Sequence, residues 1–148
     1  MPKTILFLCT GNYYRSRFAE ILFNSLATTC CPEYVAISRG LAEDLSQNPG
    51  PISKFTLLGL AERNIAPPAE HRYPLPVQPA ELEQAARIIA LYEAEHRPLL
   101  ERRFPEWADR VEYWQVPDLD KATYDVALSD IEAHVRHLIE ELCVSPDR

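Results

Sequence analysis

A continuous apolar run at residues 4–9 lies directly ahead of a turn that contains Gly11 and a segment with helical periodicity. A strand that is apolar on both faces is typical of a parallel sheet covered by helices on both sides. From residue 15 to about residue 27, apolar side chains recur at the spacing of one helix face. The sequence therefore predicts a buried strand, a tight loop and a helix, in that order, at the start of the fold.

The rest of the chain repeats this alternation of short apolar runs and helical segments. Further strands are predicted at residues 34–38, 87–91 and 111–116, and further helices at a segment capped by Ser53 and at 79–86, 93–103 and 125–143. Strands separated by helices form parallel sheets wound by right-handed crossovers. We therefore expect one α/β domain over residues 1–148, a doubly wound four-stranded parallel sheet with helices on both faces and the flavodoxin-like order 2-1-3-4. Such folds bind ligands at the carboxyl ends of their strands, where Cys9 lies.

Charge and cysteine usage exclude several classes of partner. The chain has a formal charge of −7, so we expect no nucleic-acid binding, and no apolar run approaches the ~20 residues that span a bilayer. The four cysteines show no Cys-x-x-Cys spacing, which predicts a cytoplasmic protein without a metal or other cofactor. Cys30 and Cys31 are interpreted as loop or packing residues, and His96, His134 and His137 as solvated helix positions.

The loop between the first strand and the first helix, residues 9–16, contains the residue types of an anion site. Successive backbone N–H groups of such a loop point at one spot, and the helix N-terminus lies behind them. Gly11 and Asn12 allow a tight curl, because glycine lacks Cβ and asparagine tolerates left-handed backbone angles. The planar guanidinium of Arg15 can bind two phosphate oxygens at once. The expected phosphate-binding residues are Thr10, Gly11, Asn12, Tyr13, Tyr14, Arg15 and Ser16.

Cys9 lies at the base of the same loop, where the surrounding donors stabilise a thiolate. A thiolate beneath a bound phosphorus atom is placed for in-line attack, and the Ser16 hydroxyl can donate to the sulfur when it leaves again. The Cys-x5-Arg spacing alone is weak evidence, but Gly11 and Asn12 at their places make a chance match rare. The alternative, that Cys9 is a small buried core residue, leaves the composition of the loop unexplained.

The segments Cys9-Thr10-Gly11-Asn12 and Arg15-Ser16 resemble the signature of the low-molecular-weight protein tyrosine phosphatases. Other segments are similar to that family along nearly the whole chain: Ser38-Arg39-Gly40, His71-Arg72, Phe104-Pro105 and Trp114. The resemblance implies a cofactor-independent phosphomonoester hydrolase that acts through a phosphocysteine on a phosphorylated protein or a small phosphomonoester. It also implies that Asn12, Ser38 and His71 support the loop by hydrogen bonds. We expect a monomer or a weak homodimer.

The family's general acid is an aspartate near the C-terminus, and Asp118 occupies the matching position. Leu119 follows where the family has proline, and Asp120 stands where an aromatic residue is usual. We favour Asp118 as the acid and keep Asp120 as the second candidate. The same segment could instead be a solvated acidic loop ahead of a helix.

Tyr14 stands where many family members have a second cysteine, so Cys9 lacks a neighbouring thiol and is more open to overoxidation. Tyr13 or Tyr14 can replace the missing aromatic wall, or one of them can pack against the first helix. Two other functions remain as alternatives. One is a phosphoanion-binding module with little turnover, which the altered acid loop motivates. The other is an arsenate reductase, whose relay cysteines we do not expect Cys30, Cys31 and Cys143 to supply.

Overall fold

A computed structural model of the protein describes residues 2–118 and 123–143. Its strands are β1 (Lys3–Cys9), β2 (Tyr34–Gly40), β3 (Arg87–Ala90) and β4 (Glu112–Tyr113). Its helices are α1 (Arg15–Cys30), α2 (Lys54–Glu62), α3 (Pro79–Gln84), α4 (Glu93–Arg103) and α5 (Tyr124–Cys143), with a 3₁₀ turn at Pro105–Trp107.

The strands form a parallel sheet with β1 at its interior. Within the described residues the order is β2-β1-β3-β4, which confirms the predicted order. Cys9 pairs with Gly40 of β2, and Leu8 pairs with Ala90 of β3. The last residue of β1 therefore lies between the carboxyl ends of two neighbouring strands, at the edge where ligands of this architecture bind.

β1 is buried on both sides because its side chains alternate between two cores. Ile5 and Phe7 pack with apolar side chains of α1, α2 and α5, while Leu6 and Leu8 pack with apolar side chains of α3 and α4. This alternation is the physical reason why the run at residues 4–9 is apolar throughout. It also confirms that helices cover both faces of the sheet.

The fourth strand is much shorter than the stretch 111–116 predicted for it. The chain nevertheless stays alongside β3, since the Trp114 amide donates to the Ala90 carbonyl at 2.9 Å and the Val116 amide donates to the Leu91 carbonyl at 2.8 Å. Gln115 forms an isolated antiparallel bridge with Tyr92, so the regular parallel pairing with β3 has ended at this point. As a result, residue 118 lies at the carboxyl edge of the sheet.

The prediction that His96 is solvated was wrong. Its side chain is fully buried on the first turn of α4, and its Nδ1 atom accepts from the Tyr92 amide at 3.0 Å. Among the described residues, no helix combines the length and the apolar character that crossing a membrane requires.

Candidate active site

A cavity of about 830 Å³ opens at the carboxyl edge of the sheet. Cys9 and the loop that follows it form the floor, Glu95 of α4 and Asp118 lie on one side, and residues 48–55 with Leu57 complete the wall. The predicted nucleophile, phosphate-binding arginine and general acid thus come together in one cavity. Cys9 and Arg15 belong to one loop, and Asp118 comes from a segment about a hundred residues further along the chain.

The carbonyl groups of the loop are occupied by partners outside it. Each carbonyl from Cys9 to Tyr14 accepts a hydrogen bond from a residue outside the loop. In the order of these six carbonyl groups, the donors are Leu41, Ala42, Asn48, Arg17, Ser53 and Thr56. None of the amides from Gly11 to Tyr14 donates to a group in the described part of the chain. A loop with every carbonyl held outward leaves its N–H groups for a ligand, as expected of an anion nest.

Asn12 fixes the curl of this loop. Its φ is +50°, the left-handed region that asparagine tolerates, and its side chain is fully buried. The Nδ2 group donates to Ser16 at 2.9 Å and to Ser38 at 3.0 Å. The Oδ1 atom accepts from Arg72 and from the Leu75 amide, each at 3.0 Å. Both donors and both lone pairs of the amide are therefore used, and the loop is held in shape before any anion arrives.

The φ of Gly11 is not positive, so backbone conformation is not the reason why this residue is a glycine. A Cβ at this position would lie 3.2 Å from Oδ1 of Asn48, whose Nδ2 donates to the Gly11 carbonyl at 3.0 Å. The close approach of the Asn48 side chain to the loop therefore favours glycine, because a Cβ would push that side chain away by a few tenths of an ångström. Asn48 was not predicted as a site residue.

The support predicted from Ser38 is present, but that predicted from His71 comes from the next residue. Arg72 donates to Asn12 at 3.0 Å and to the Ser38 hydroxyl at 3.1 Å, and it pairs with Glu20 at 3.2 Å. His71 is exposed to solvent. A guanidinium can reach three acceptors at once, which explains why the longer side chain links the loops here.

The sulfur of Cys9 lies 3.0 Å from the hydroxyl oxygen of Ser16. That oxygen also accepts from Asn12, and once the sulfur is a thiolate the Ser16 hydroxyl can only donate to it. Both side chains are buried. The arrangement places a hydroxyl donor where a thiolate would form, as predicted for a nucleophile that must also depart from phosphorus.

The Arg15 guanidinium is buried and held from two sides. Its Nη1 donates to the Val116 carbonyl at 2.9 Å and its Nη2 to Glu95 at 2.8 Å, while Oδ2 of Asp118 lies 3.7 Å from Nη2. Burial alone would lower the pKa of Arg15, but the neighbouring Cys9, Glu95 and Asp118 raise it. Arg15 is therefore a permanent cation in a fixed orientation.

Glu95 is a site residue that the sequence reading missed. Besides Arg15, its carboxylate accepts a short hydrogen bond from the Thr10 hydroxyl and lies 3.3 Å from Nε2 of His96. Apart from this contact, Nε2 has no hydrogen-bond partner among the described residues. Although burial opposes it, the contacts with His96, Arg15 and Thr10 hold the pKa of Glu95 well below its usual range. An anionic side chain thus shares the cavity with the expected phosphate site.

The two tyrosines of the loop differ in placement. Tyr14 is buried in the core beneath α2, its ring set edge-on to Phe55 at 6.5 Å. Its hydroxyl has no hydrogen-bond partner among the described residues, and burial, with help from Asp118, raises its pKa to about 12. Tyr13 is half-buried on the cavity wall. Phe55, at the start of α2, adds a second aromatic ring to that wall.

Asp118 lines the cavity and its side chain is half exposed. This position gives it contact with both Arg15 and solvent, which a proton donor and later a base both need. Asp120, the second candidate, lies outside the described residues.

We expect Glu95→Gln to bind inorganic phosphate about 10-fold more tightly, since it removes a like charge from the cavity. Glutamine keeps an oxygen acceptor for Arg15 and Thr10, so the guanidinium should stay in place. Phosphate inhibition constants measured from pH 5 to 8 check this. Because the pKa of Glu95 lies well below that range, Glu95 is ionised throughout it and the tighter binding should be present at every pH, so equal or weaker phosphate binding would contradict the prediction.

The same variant should also change the stability of the protein, in a way that depends on pH. A carboxyl whose pKa is lowered by folding stabilises the native state above its unfolded pKa of ~4.3 and loses that contribution as the pH falls toward its folded pKa. Glu95→Gln should therefore unfold more easily than the wild type at pH 7, by about 1–2 kcal/mol. The difference should shrink below pH ~4, as urea titrations can show.

Comparison with known proteins gives the same assignment as the geometry. Residues 4–145 match the family described as low molecular weight phosphotyrosine protein phosphatase, which confirms the resemblance inferred from the sequence. No curated protein sequence matched the chain.

Several solved structures share the fold. Wzb of Vibrio vulnificus, in complex with benzylphosphonate, superposes with a TM-score of 0.77 at 18% identity, over 95% of this chain and 99% of that one. The YwlE arginine phosphatase of Geobacillus stearothermophilus gives 0.73 at 22% identity, over 95% and 93%. The low molecular weight protein tyrosine phosphatase of T. tengcongensis gives 0.72 at 25% identity, over 95% and 97%.

Proposed function

This chain belongs to the low molecular weight phosphotyrosine protein phosphatase family, and from that premise we propose that it hydrolyses phosphomonoesters through a phosphocysteine on Cys9. The observation that carries the proposal is the shared cavity of Cys9, Arg15 and Asp118. A nucleophile, a phosphate-binding cation and a proton donor are the minimum that this two-step reaction needs.

In the first step the Cys9 thiolate attacks phosphorus, so that a P–S bond forms while the P–O ester bond breaks. The electron pair leaves on the ester oxygen, which takes a proton from Asp118. The loop amides and the Arg15 N–H groups not used by Val116 and Glu95 bind the transferring phosphoryl oxygens. These donors are already oriented, so the transition state is stabilised without reorganisation.

In the second step water attacks the phosphocysteine and the P–S bond breaks. Asp118, now a carboxylate, accepts the proton of that water, which regenerates the acid and releases inorganic phosphate. The Ser16 hydroxyl donates to the departing sulfur and stabilises the thiolate as a leaving group. No step requires a metal or another cofactor.

We expect Asp118→Asn to lower kcat/KM for phenyl phosphate by ~10²-fold but kcat/KM for p-nitrophenyl phosphate by less than ~10-fold, because kcat/KM reports formation of the phosphocysteine and the second leaving group departs without a proton. Steady-state rates with both esters provide the check. Asp120→Asn is the matched control and should leave both rates near the wild-type values. If Asp120→Asn instead gave the leaving-group-dependent loss, the acid would have to be reassigned.

The aromatic wall of Tyr13 and Phe55 supports an aryl phosphate, such as phosphotyrosine in a protein, as the substrate. The first test is turnover of p-nitrophenyl phosphate with a chelator present, which should proceed undiminished. The second compares a phosphotyrosine peptide with a phosphoarginine peptide, since one structural neighbour is an arginine phosphatase. Faster cleavage of the phosphoarginine peptide would show that the carboxylates of Glu95 and Asp118, and not the aromatic rings, select the substrate.

We also propose that the protein is cytoplasmic and that it is a monomer or a weak homodimer. The cysteine usage of the sequence supports the location. Sedimentation at micromolar concentration would measure the oligomeric state.

A further inference from the structure

Three thiols come together at the opposite end of the molecule from the candidate active site. Cys30 ends α1, Cys31 follows it, and Cys143 ends α5. The three sulfur atoms all lie within 4.8 Å of one another. Cys143 donates to the Cys30 carbonyl at 3.2 Å across a separation of 113 residues, so only the folded chain assembles the cluster.

This three-thiol cluster adjoins the amino end of β1, whereas Cys9 lies at its carboxyl end. The Lys3 amide donates to the Glu33 carbonyl at 2.7 Å, and the Tyr34 amide to the Cys31 carbonyl at 3.1 Å. The intervening strand is roughly 20 Å long. The cluster therefore cannot relay a disulfide to Cys9, which removes the basis for arsenate reduction, and it has no part in the phosphatase reaction.

The cluster combines a rigid base with access from solvent. Cys31 is fully buried in the core beneath α1 and α5, Cys143 is half-buried, and Cys30 is exposed. Burial, together with the adjacent Cys143 thiol, raises the pKa of Cys31 to about 12, so on its own this residue is a neutral thiol. A bound metal ion deprotonates a coordinating thiol outright.

We propose that Cys30, Cys31 and Cys143 form a binding site for a thiolate-preferring d¹⁰ cation, with Zn²⁺ as its occupant. Three soft sulfur ligands select such an ion over Mg²⁺ or Ca²⁺, which prefer oxygen. Binding transfers the thiol protons to solvent and forms Zn–S bonds of about 2.3 Å, which place tetrahedral sulfurs about 3.8 Å apart. The sulfurs need to approach one another by at most about 1 Å, and solvent at the exposed Cys30 supplies the fourth ligand.

The site also links two chain segments that end at the same place. α1 and α5 both terminate at the cluster, and Ala27 and Leu142 near those ends belong to the same apolar core. A metal bound only by the folded chain stabilises that chain. We therefore expect Zn²⁺ to raise the melting temperature.

Titration with Co²⁺ under a phosphine reductant tests the proposal. The wild type should bind one equivalent with a sulfur-to-cobalt charge-transfer band, and Zn²⁺ should abolish the band stoichiometrically. Cys143→Ser and Cys30→Ser remove exposed or half-buried ligands and should fold normally in chelator. Each should bind Zn²⁺ at least ~100-fold more weakly and should lose the Zn²⁺-dependent rise in melting temperature.

Cys9→Ser is the control, because it removes the one thiol outside the cluster. It should keep the cobalt band, the zinc affinity and the thermal shift, although it cannot turn over substrate. Loss of the band in Cys9→Ser, its persistence in Cys143→Ser, or the lack of stoichiometric binding by the wild type would each overturn the proposal.

Discussion

Cys9→Ser is expected to lower kcat/KM for p-nitrophenyl phosphate by on the order of 10⁴-fold or more, the size of loss seen when a catalytic nucleophile is removed. Serine is nearly isosteric, so the contact with Ser16, now 3.0 Å from the sulfur, is kept. A hydroxyl is not ionised at neutral pH, however, so the serine is a much weaker nucleophile than the thiolate it replaces. The loss should therefore fall on kcat.

Phosphate binding provides the control for this variant. The loop amides and Arg15 are untouched, so the phosphate dissociation constant and the thermal unfolding midpoint should stay near the wild-type values. A variant that loses turnover and phosphate binding together would show that Cys9 holds the loop in shape and would remove the evidence for nucleophilic attack.

Arg15→Lys is expected to lower kcat/KM by ~10³-fold, although the charge is retained. The guanidinium now donates to the Val116 carbonyl and to Glu95 while presenting further N–H groups to the cavity. A lysine ammonium is a point charge on a flexible stem and cannot hold these two partners and a phosphate in one plane. Steady-state kinetics and phosphate titration should show losses in both kcat and phosphate affinity.

Arg136→Lys is the matched control, because Arg136 lies exposed on α5 and pairs only with Glu132 among the described residues. Its kinetics should equal those of the wild type. If Arg15→Lys were also near normal, charge alone would account for phosphate binding, and the orientation imposed by Val116 and Glu95 would have no function.

The parts of the fold that the sequence predicts well are those governed by local patterns. The apolar run of β1, the helix starting at Arg15 and the Ser53 cap, which accepts from the Phe55 amide at 3.1 Å, are all properties of neighbouring residues. The left-handed Asn12 belongs to the same class. The parallel sheet with helices on both faces follows from the alternation of strands and helices and the rules for parallel crossovers, although these rules allow more than one strand order.

The contacts that the sequence did not predict are made by side chains that reach from one segment of the chain to another. Glu95 is one acidic residue among several in α4, and only the adjacency of β1 and β3 brings it to Arg15. A useful signal existed, because β3 neighbours β1 and the segment after its carboxyl end must face the same cavity. Arg72 replaces His71 for a similar reason, since the folded loop places the Arg72 side chain on Asn12 and leaves His71 exposed.

The cluster of Cys30, Cys31 and Cys143 could not be predicted from the sequence for the same reason. Cys30 and Cys31 are adjacent in sequence, but their partner Cys143 comes from the other end of the chain. Motifs for thiolate sites depend on two pairs of closely spaced ligands, and Cys143 has no second cysteine near it in the sequence.

The central claim is that phosphate passes through a covalent bond to Cys9. Mass spectrometry of the peptide containing Cys9, after rapid acid quench of Asp118→Asn during turnover of p-nitrophenyl phosphate, tests it directly, because slow hydrolysis in this variant lets the intermediate accumulate. We predict one phosphoryl group on Cys9, formed in step with a burst of p-nitrophenol. Steady turnover with no phosphoryl group on Cys9 and no burst would contradict the account.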